Sequence, residues 1–353
     1  DDGGTETGNT LNIPGTEADD TLTASDDIPG PEENEESTEK HTLNIGRYPS
    51  DLEFDIALTP RGNGLIEMDD TQHLIYPIRT VDDSKSLFSS KAKNYNGLVE
   101  IYPDLNYHCY YIETDMDANF IDCIIDHSLV ESFYDMLDPK IKTEVHYINS
   151  PKDYQNYFYK TDHHWNTPGQ EQGYLDIVRL LKGKFEPTLY LETVLIEDTK
   201  YNGYKSRKSN DYTIYDDFTI LTSDQVPDYQ VIIDGQEKDY DHKDDYMAGD
   251  FDKGTGINYY VLCNGLDYGV VEYHFNQPGK GNLIMFVESF SNPINTFVAS
   301  HYDNTYIIDF RHYYSVYGKS FDFGEFTAEH DIDDVLFTGY YFFHANNVFK
   351  VTD

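Results

Sequence analysis

From about residue 45 onward, strand-like apolar runs alternate with stretches whose apolar residues recur at helical spacing. Residues 107–113 (YHCYYIE) read as a buried strand. Residues 120–137 then place Ile124, Val130, Phe133 and Met136 at helical intervals, and 144–148 (EVHYI) read as the next strand. The last third repeats the theme. Residues 282–287 (NLIMFV) form a continuous apolar run, as expected of a strand covered on both faces. Pro293 falls where a helix's first turn tolerates it, Ile294, Phe297, Val298 and His301 share one helical face, and 306–310 (YIIDF) read as a strand. Strand, turn, helix and strand in this order predict a crossover unit between parallel strands. The expected fold class is α/β, a mainly parallel sheet with helices on both faces.

Two regions depart from this pattern. Residues 188–280 carry short β-rich runs, YQVIIDG at 229, INYYVLCNG at 257 and GVVEYHFN at 269, between polar stretches. They read as a β-rich insertion without a domain identity of its own. Residues 1–44 hold 13 acidic residues and one basic residue, almost no aromatics, and many Gly, Thr, Ser and Pro. Such a segment buries too little apolar surface to offset its ordering entropy and is expected to be a disordered, self-repelling linker. The expected organisation is therefore a linker over 1–44 and one α/β domain over 45–353. A long polar tether of this kind suggests a stalk from a lipid or membrane anchor, which would hold the protein at the cell surface through its N-terminal linker.

Charge narrows the partners. The chain carries 65 acidic against 25 basic residues, a net charge of −40. That surface repels nucleic acid and anionic membranes, which proteins bind by neutralising phosphates. No run of about 18 apolar residues offers a membrane span. Cys109, Cys123 and Cys263 are too few and too widely spaced for a disulfide framework or a zinc motif, and Cys109 and Cys263 sit in apolar runs that predict burial.

Candidate chemistry gathers in two segments. The first is Tyr159-Lys160-Thr161-Asp162-His163-His164-Trp165-Asn166-Thr167. The aromatic run at 157–159 reads as a strand end, and Thr167-Pro168-Gly169-Gln170 as a capping box opening a helix that Gly183 stops. Residues 162–166 then lie in a strand-to-helix loop, where α/β proteins place their sites. In an extended loop, residues two apart point the same way, so Asp162 and His164 would face one pocket and His163 would point elsewhere. A carboxylate on the imidazole fixes its tautomer and stabilises the imidazolium that forms when the base takes a proton. The second segment is Val287-Glu288-Ser289-Phe290. Ser289, at a strand end and helix start, would expose its hydroxyl beside backbone N–H groups able to hold an oxyanion.

Together these segments resemble the DHHW family of bacterial exported proteins. More distantly they resemble the SGNH-hydrolase-like domain of alginate O-acetyltransferases, which carries a related Thr-Asp-X-His-Trp. In those proteins a second block, Asp-Ser-Phe or Asp-Ser-Tyr after an apolar strand, precedes a strand ending Asp-X-Arg-X-Tyr. The matching residues are Glu288-Ser289-Phe290 and Asp309-Phe310-Arg311-His312-Tyr313. The resemblance covers roughly residues 45–350 and is thin from 188 to 255.

It implies an SGNH-like, flavodoxin-like sheet with Ser289 as nucleophile, His164 as general base and Asp162 as its orienting partner. Arg311 would lie near the site as a structural or substrate-contacting residue. Asn264, in a turn resembling a family Gly-Asn turn, and Phe290 would contribute to the oxyanion hole or to substrate binding. The implied function is an exported serine-dependent O-acyl transferase or esterase, acetyl being the implied acyl group, on an envelope or extracellular glycan, with no cofactor. Two positions depart from the pattern, Glu288 for Asp before the nucleophile and Val287 for the Gly of wider SGNH proteins; both bear on the nucleophile turn. The alternative is a catalytically inactive SGNH-like protein that binds glycan at the surface. A metal site from Asp162, His163 and His164 is disfavoured, because adjacent histidines rarely reach one ion from an extended loop.

Overall fold

The computed structural model describes residues 40–43, 54–118, 120, 127–238 and 254–346. Residues 1–39 and Asn44 of the expected linker, and Cys123 and Ile124, lie outside them. Within the expected linker, Lys40–Leu43 instead form strand β1, which pairs antiparallel with β2 (Phe54–Pro60). β3 (Ile66–Met68) and β4 (His73–Ile75) complete a four-stranded antiparallel sheet.

The main sheet begins with β5 (Asn106–Ile112) and β6 (Ile141–His146), the latter starting three residues earlier than its sequence pattern indicates. β7 (Glu192–Leu195) and β8 (Thr219–Thr222) form a separate two-stranded ribbon. β9 (Gln230–Ile233), β10 (Gln236–Lys238), β11 (Val270–His274), β12 (Asn282–Phe286), β13 (Asn304–Ile308) and β14 (Asp334–Tyr340) join β5 and β6 in an eight-stranded sheet. Its order is β10-β9-β11-β13-β12-β14-β5-β6.

This sheet is mixed, which corrects the mainly parallel expectation. The five strands β13-β12-β14-β5-β6 are parallel, whereas β11, β9 and β10 add antiparallel onto β13. The cause is local. Asp234 and Gly235, with φ of 48° and 74°, make a two-residue turn that returns β9 into β10, and such turns join only antiparallel strands. Strands from the 188–280 region thus extend the main sheet. The run at 257 does not join it: Tyr259–Asn264 is a helix, capped by Asn258 and stopped at Gly265, φ 86°. Its aromatic and β-branched residues mimic a strand in composition, and tertiary packing overrides that preference.

Period-two alternation sorts the parallel strands' residues into two cores. Tyr110, Leu283, Met285, Ile307 and Leu336 face one side, where the helix Thr167–Lys182 lays down Tyr174, Ile177 and Val178. Cys109, Ile284, Phe286, Ile308 and Phe337 face the other, against Phe88, Tyr95 and Leu98 of the helix Val81–Ile101. Each large apolar side chain buried here contributes about 1.5–3 kcal/mol, so both faces must be covered. The helix expected over 120–137 is described only as Ser128–Tyr134. A third cluster, including Tyr159, Tyr201, Phe218 and Tyr260, ties the 188–280 region to the loop that follows Tyr159.

Candidate active site

The Asp162–Trp165 loop is bent, and its shape comes from two anchors. Of the aromatic run at 157–159, read as a strand end, Tyr157 closes the helix Pro151–Tyr157 and Phe158 is extended. Phe158 then makes an isolated antiparallel bridge with Trp165, and Tyr159 N–H donates to the His164 carbonyl at 3.2 Å. Asn166, not Thr167, caps the following helix, its Oδ1 accepting from Gly169 N. Gln170 donates to the Trp165 carbonyl instead of completing a capping box. The second anchor is Asp216, whose carboxylate accepts from Lys160 N, Thr161 N and Thr161 Oγ1 at 2.7–3.0 Å. At Gly203 the chain passes so close to Asp162 that an added Cβ would collide with its side chain.

The result is a short chain of hydrogen bonds. Ser289 Oγ donates to His164 Nε2 at 2.8 Å, and His164 Nδ1 donates to Asp162 Oδ1 at 2.7 Å. Asp162 Oδ1 also accepts from the His164 N–H at 3.1 Å, while Oδ2 accepts from Tyr201 Oη at 2.6 Å and Tyr204 N at 2.7 Å. Burial pushes the Asp162 carboxyl up, but the two imidazoles beside it hold it well below the usual carboxylate range. Burial lowers the His164 imidazole to about 4, with the His163 ring adding to the effect and Asp162 opposing it. His164 is thus neutral at pH 7, with Nε2 free of its own proton and facing the serine hydroxyl.

His163 does not point elsewhere. Its Nδ1 lies 3.1 Å from Asp162 Oδ1, outside hydrogen-bond geometry, and its ring centroid is 4.0 Å from that of His164. The loop is bent where the expectation needed it extended, so both histidines crowd one carboxylate. Asp162, His163 and His164 therefore bring potential metal ligands within 4.8 Å of one another. Both His164 nitrogens are nonetheless already bonded, to Asp162 and Ser289.

Ser289 opens a single 3-10 turn, Ser289–Ser291, just past the end of β12. Glu288 caps that turn and folds back on it, with Oε2 3.4 Å from Phe290 N and 3.2 Å from Ser289 Oγ. Ser289 has one proton, and the shorter contact gives it to His164. The approach of Glu288 is therefore a bond only when its carboxyl brings a proton of its own. It does so over most of the pH range: burial raises Glu288 to about 8, with Arg311 opposing and Asp267 reinforcing. Its Oε1 is buried and has no hydrogen-bond partner among the described residues.

Aromatic rings hold the pair in register. Tyr260 stacks on His164 at 3.9 Å and 13°, and its hydroxyl donates to the Ser289 carbonyl at 2.8 Å. Trp165, fully buried, donates from Nε1 to the Phe290 carbonyl at 2.8 Å. Phe290 is buried with its ring 4.9 Å from His164; its N–H points to Glu288, so it packs the site without offering an oxyanion donor. Arg311 is clamped by Asp309 and Asp267 at 2.6 and 2.8 Å, near enough for its charge to act on Glu288. Asn264 ends the helix Tyr259–Asn264 and lines a cleft with Val287 and Asn292, on the same side of the sheet as the turn. Sequence reasoning missed Tyr201, Gly203 and Tyr260. Only Tyr260 lay near a flagged residue, four positions before Asn264.

No family model and no curated protein matches the sequence. Solved structures do match. A DHHW family protein from Eubacterium siraeum aligns at 18% identity over 82% of this chain and 94% of its own, with a TM-score of 0.59. Bacillus cereus PatB1, solved with a sulfonyl adduct, aligns at 15% identity over 84% of this chain and 99% of its own, with a TM-score of 0.61. At these identities the likeness is one of fold. The chain shares its fold with a DHHW family protein, the relationship that its own Asp162-His163-His164-Trp165 sequence points to.

Proposed function

We propose that this protein is an exported serine-dependent O-acyl transferase or esterase that moves an acyl group, acetyl by the sequence resemblance, on an envelope or extracellular glycan. The observation that carries the reading is the Ser289–His164–Asp162 chain, at 2.8 and 2.7 Å, within the reach proton transfer needs. Ser289 Oγ attacks the acyl carbon while His164 Nε2 takes its proton, and Asp162 stabilises the imidazolium. The tetrahedral intermediate collapses as His164 returns the proton to the leaving oxygen, leaving an acyl-Ser289 ester. An acceptor hydroxyl, or water in the esterase case, then gives its proton to His164 and attacks the ester carbon. The second tetrahedral intermediate collapses as His164 returns that proton to Ser289 Oγ, releasing the acylated acceptor, or the free acid, and the restored serine.

The Phe290 N–H faces Glu288, which leaves the Ser289 N–H as the backbone donor for the developing oxyanion. Export rests on the sequence resemblance to a family of exported proteins, and tethering on the acidic, polar character of residues 1–44. No helix among the described residues is long and apolar enough to cross a membrane. The test is turnover of a small acetyl ester. Ser289→Ala should reduce it at least a thousandfold; equal rates in both proteins would reject the reading in favour of a non-catalytic glycan binder.

A further inference from the structure

Lys205 has no part in the chemistry above, yet its side chain and that of Asp115 are both 0% exposed. Its Nζ donates to Asp115 Oδ2 at 2.7 Å and to Tyr154 Oη at 2.8 Å. The Tyr76 and Tyr154 rings lie 5.4 and 5.6 Å from the same nitrogen. Asp115 stands three residues past β5, and its Oδ2 also accepts at 2.6 Å from the N–H of Tyr76, just past β4. Tyr154 belongs to the helix Pro151–Tyr157, which leads into the Asp162–Trp165 loop. One side chain thus joins three segments that are distant in sequence.

Lysine is almost never fully buried unless it is paired. Taking two charges out of water costs about as much as their attraction returns, so an apolar pair would hold these segments together equally well. What directed bonds add is a fixed place for the chain that carries them. Here that chain borders the candidate base. Gly203 N donates to Thr161 Oγ1 at 2.9 Å, Tyr204 N to Asp162 Oδ2 at 2.7 Å, and Ser206 N to the Thr161 carbonyl at 3.1 Å. The helix Tyr204–Ser209 has only six residues, too few to be stable alone, so its position must come from its anchors.

We propose that the buried Lys205–Asp115 ion pair fixes the start of this helix against Thr161 and Asp162, which makes Lys205 a positioning residue for the Asp162–His164 pair. It acts through its neighbour: with Tyr204 N held on Asp162 Oδ2, Oδ1 stays aimed at His164 Nδ1. The consequence for turnover rests on the proposed function; the consequence for the Asp162–His164 bond does not.

Removing Lys205 alone would strand Asp115, whose Oδ1 is already buried without a hydrogen-bond partner among the described residues. The variant is therefore Lys205→Met combined with Asp115→Asn, which removes both charges and keeps an acceptor for Tyr76 N. Thermal unfolding checks that it folds. Proton NMR of histidine-labelled protein then reads the His164 Nδ1–H, assigned by its absence in His164→Gln, and ester kinetics are measured beside it. Wild type should show this proton far downfield, held in the 2.7 Å bond to Asp162. In the paired variant it should move upfield or broaden by exchange, and kcat should fall about tenfold at unchanged KM. An unmoved resonance in a folded variant overturns the proposal, whatever its kcat, and leaves Lys205 a structural residue alone. A moved resonance, where even wild type turns over no ester, upholds the positioning and removes the proposed reaction. Should the paired variant fail to fold, Tyr154→Phe removes only the hydroxyl bound to Lys205 Nζ and should move the same resonance by less; no movement there overturns the proposal as well.

Discussion

Glu288 gives the proposed chemistry an upper pH limit. Its carboxyl is raised to about 8 by burial, and its Oε2 sits 3.2 Å from the serine oxygen that must carry developing negative charge. Below pH 8 it is a neutral neighbour able to donate to that oxygen; above it a second negative charge stands there. At an effective dielectric of about 20, two unit charges about 4 Å apart repel by about 4 kcal/mol, on the order of a hundredfold to a thousandfold in rate. The assay is kcat/KM for a small acetyl ester from pH 4 to 10, with the Ser289→Ala background subtracted. Wild type should rise as His164 loses its proton near pH 4 and fall above about pH 8. Glu288→Gln should keep the first limb and lose the second. Stability supplies an independent reading. The folded value lies above the ordinary 4.5, so the stability present below that pH is lost progressively as pH rises to 8. Glu288→Gln should therefore match wild type at low pH and exceed it by on the order of a few kcal/mol above pH 8. An unchanged alkaline limb in the variant, with no gain in stability, refutes the reasoning.

Two further perturbations probe the support of Asp162. Tyr201→Phe removes the 2.6 Å bond to Oδ2 and leaves Tyr204 N, so kcat should fall about tenfold to a hundredfold at unchanged KM, the strength of a hydrogen bond to a charged group. An unchanged kcat would show that Tyr201 does not position the base. Gly203→Ala drives a methyl into the Asp162 side chain and should lower kcat further. Gly173→Ala, which meets the Trp165 ring, should instead cost about 1–3 kcal/mol in thermal unfolding.

Sequence alone carried the parts of this picture that are local or periodic. Asp162 and His164 are two residues apart, and the continuous apolar run at 282–287 announces the buried strand that ends before Ser289. What it could not carry is contributed across long stretches of chain. Tyr201 reaches Asp162 and Tyr260 covers His164 from a region whose short runs have no distinguishing period. The same composition made a helix at 259–264 read as a strand. The Asp162–His164 pairing was drawn from an extended loop, whereas the loop is bent by its bonds to Asp216 and by the Phe158–Trp165 bridge. That difference is why His163 turns toward the carboxylate. Antiparallel strands at the β13 edge were likewise invisible, because strand direction is set by connections and not by the strands' own residues.

The indole of Trp165 has a practical consequence. It sits one residue after His164 and bonds to the carbonyl one residue after Ser289, so the spacing of the proposed reactive pair is held by a buried neighbour as well as by their own bond. Removing the serine hydroxyl therefore leaves the frame standing. An inactivated protein becomes a faithful mould of the working one, in which an occupant can be caught before it reacts and be seen where it would have reacted.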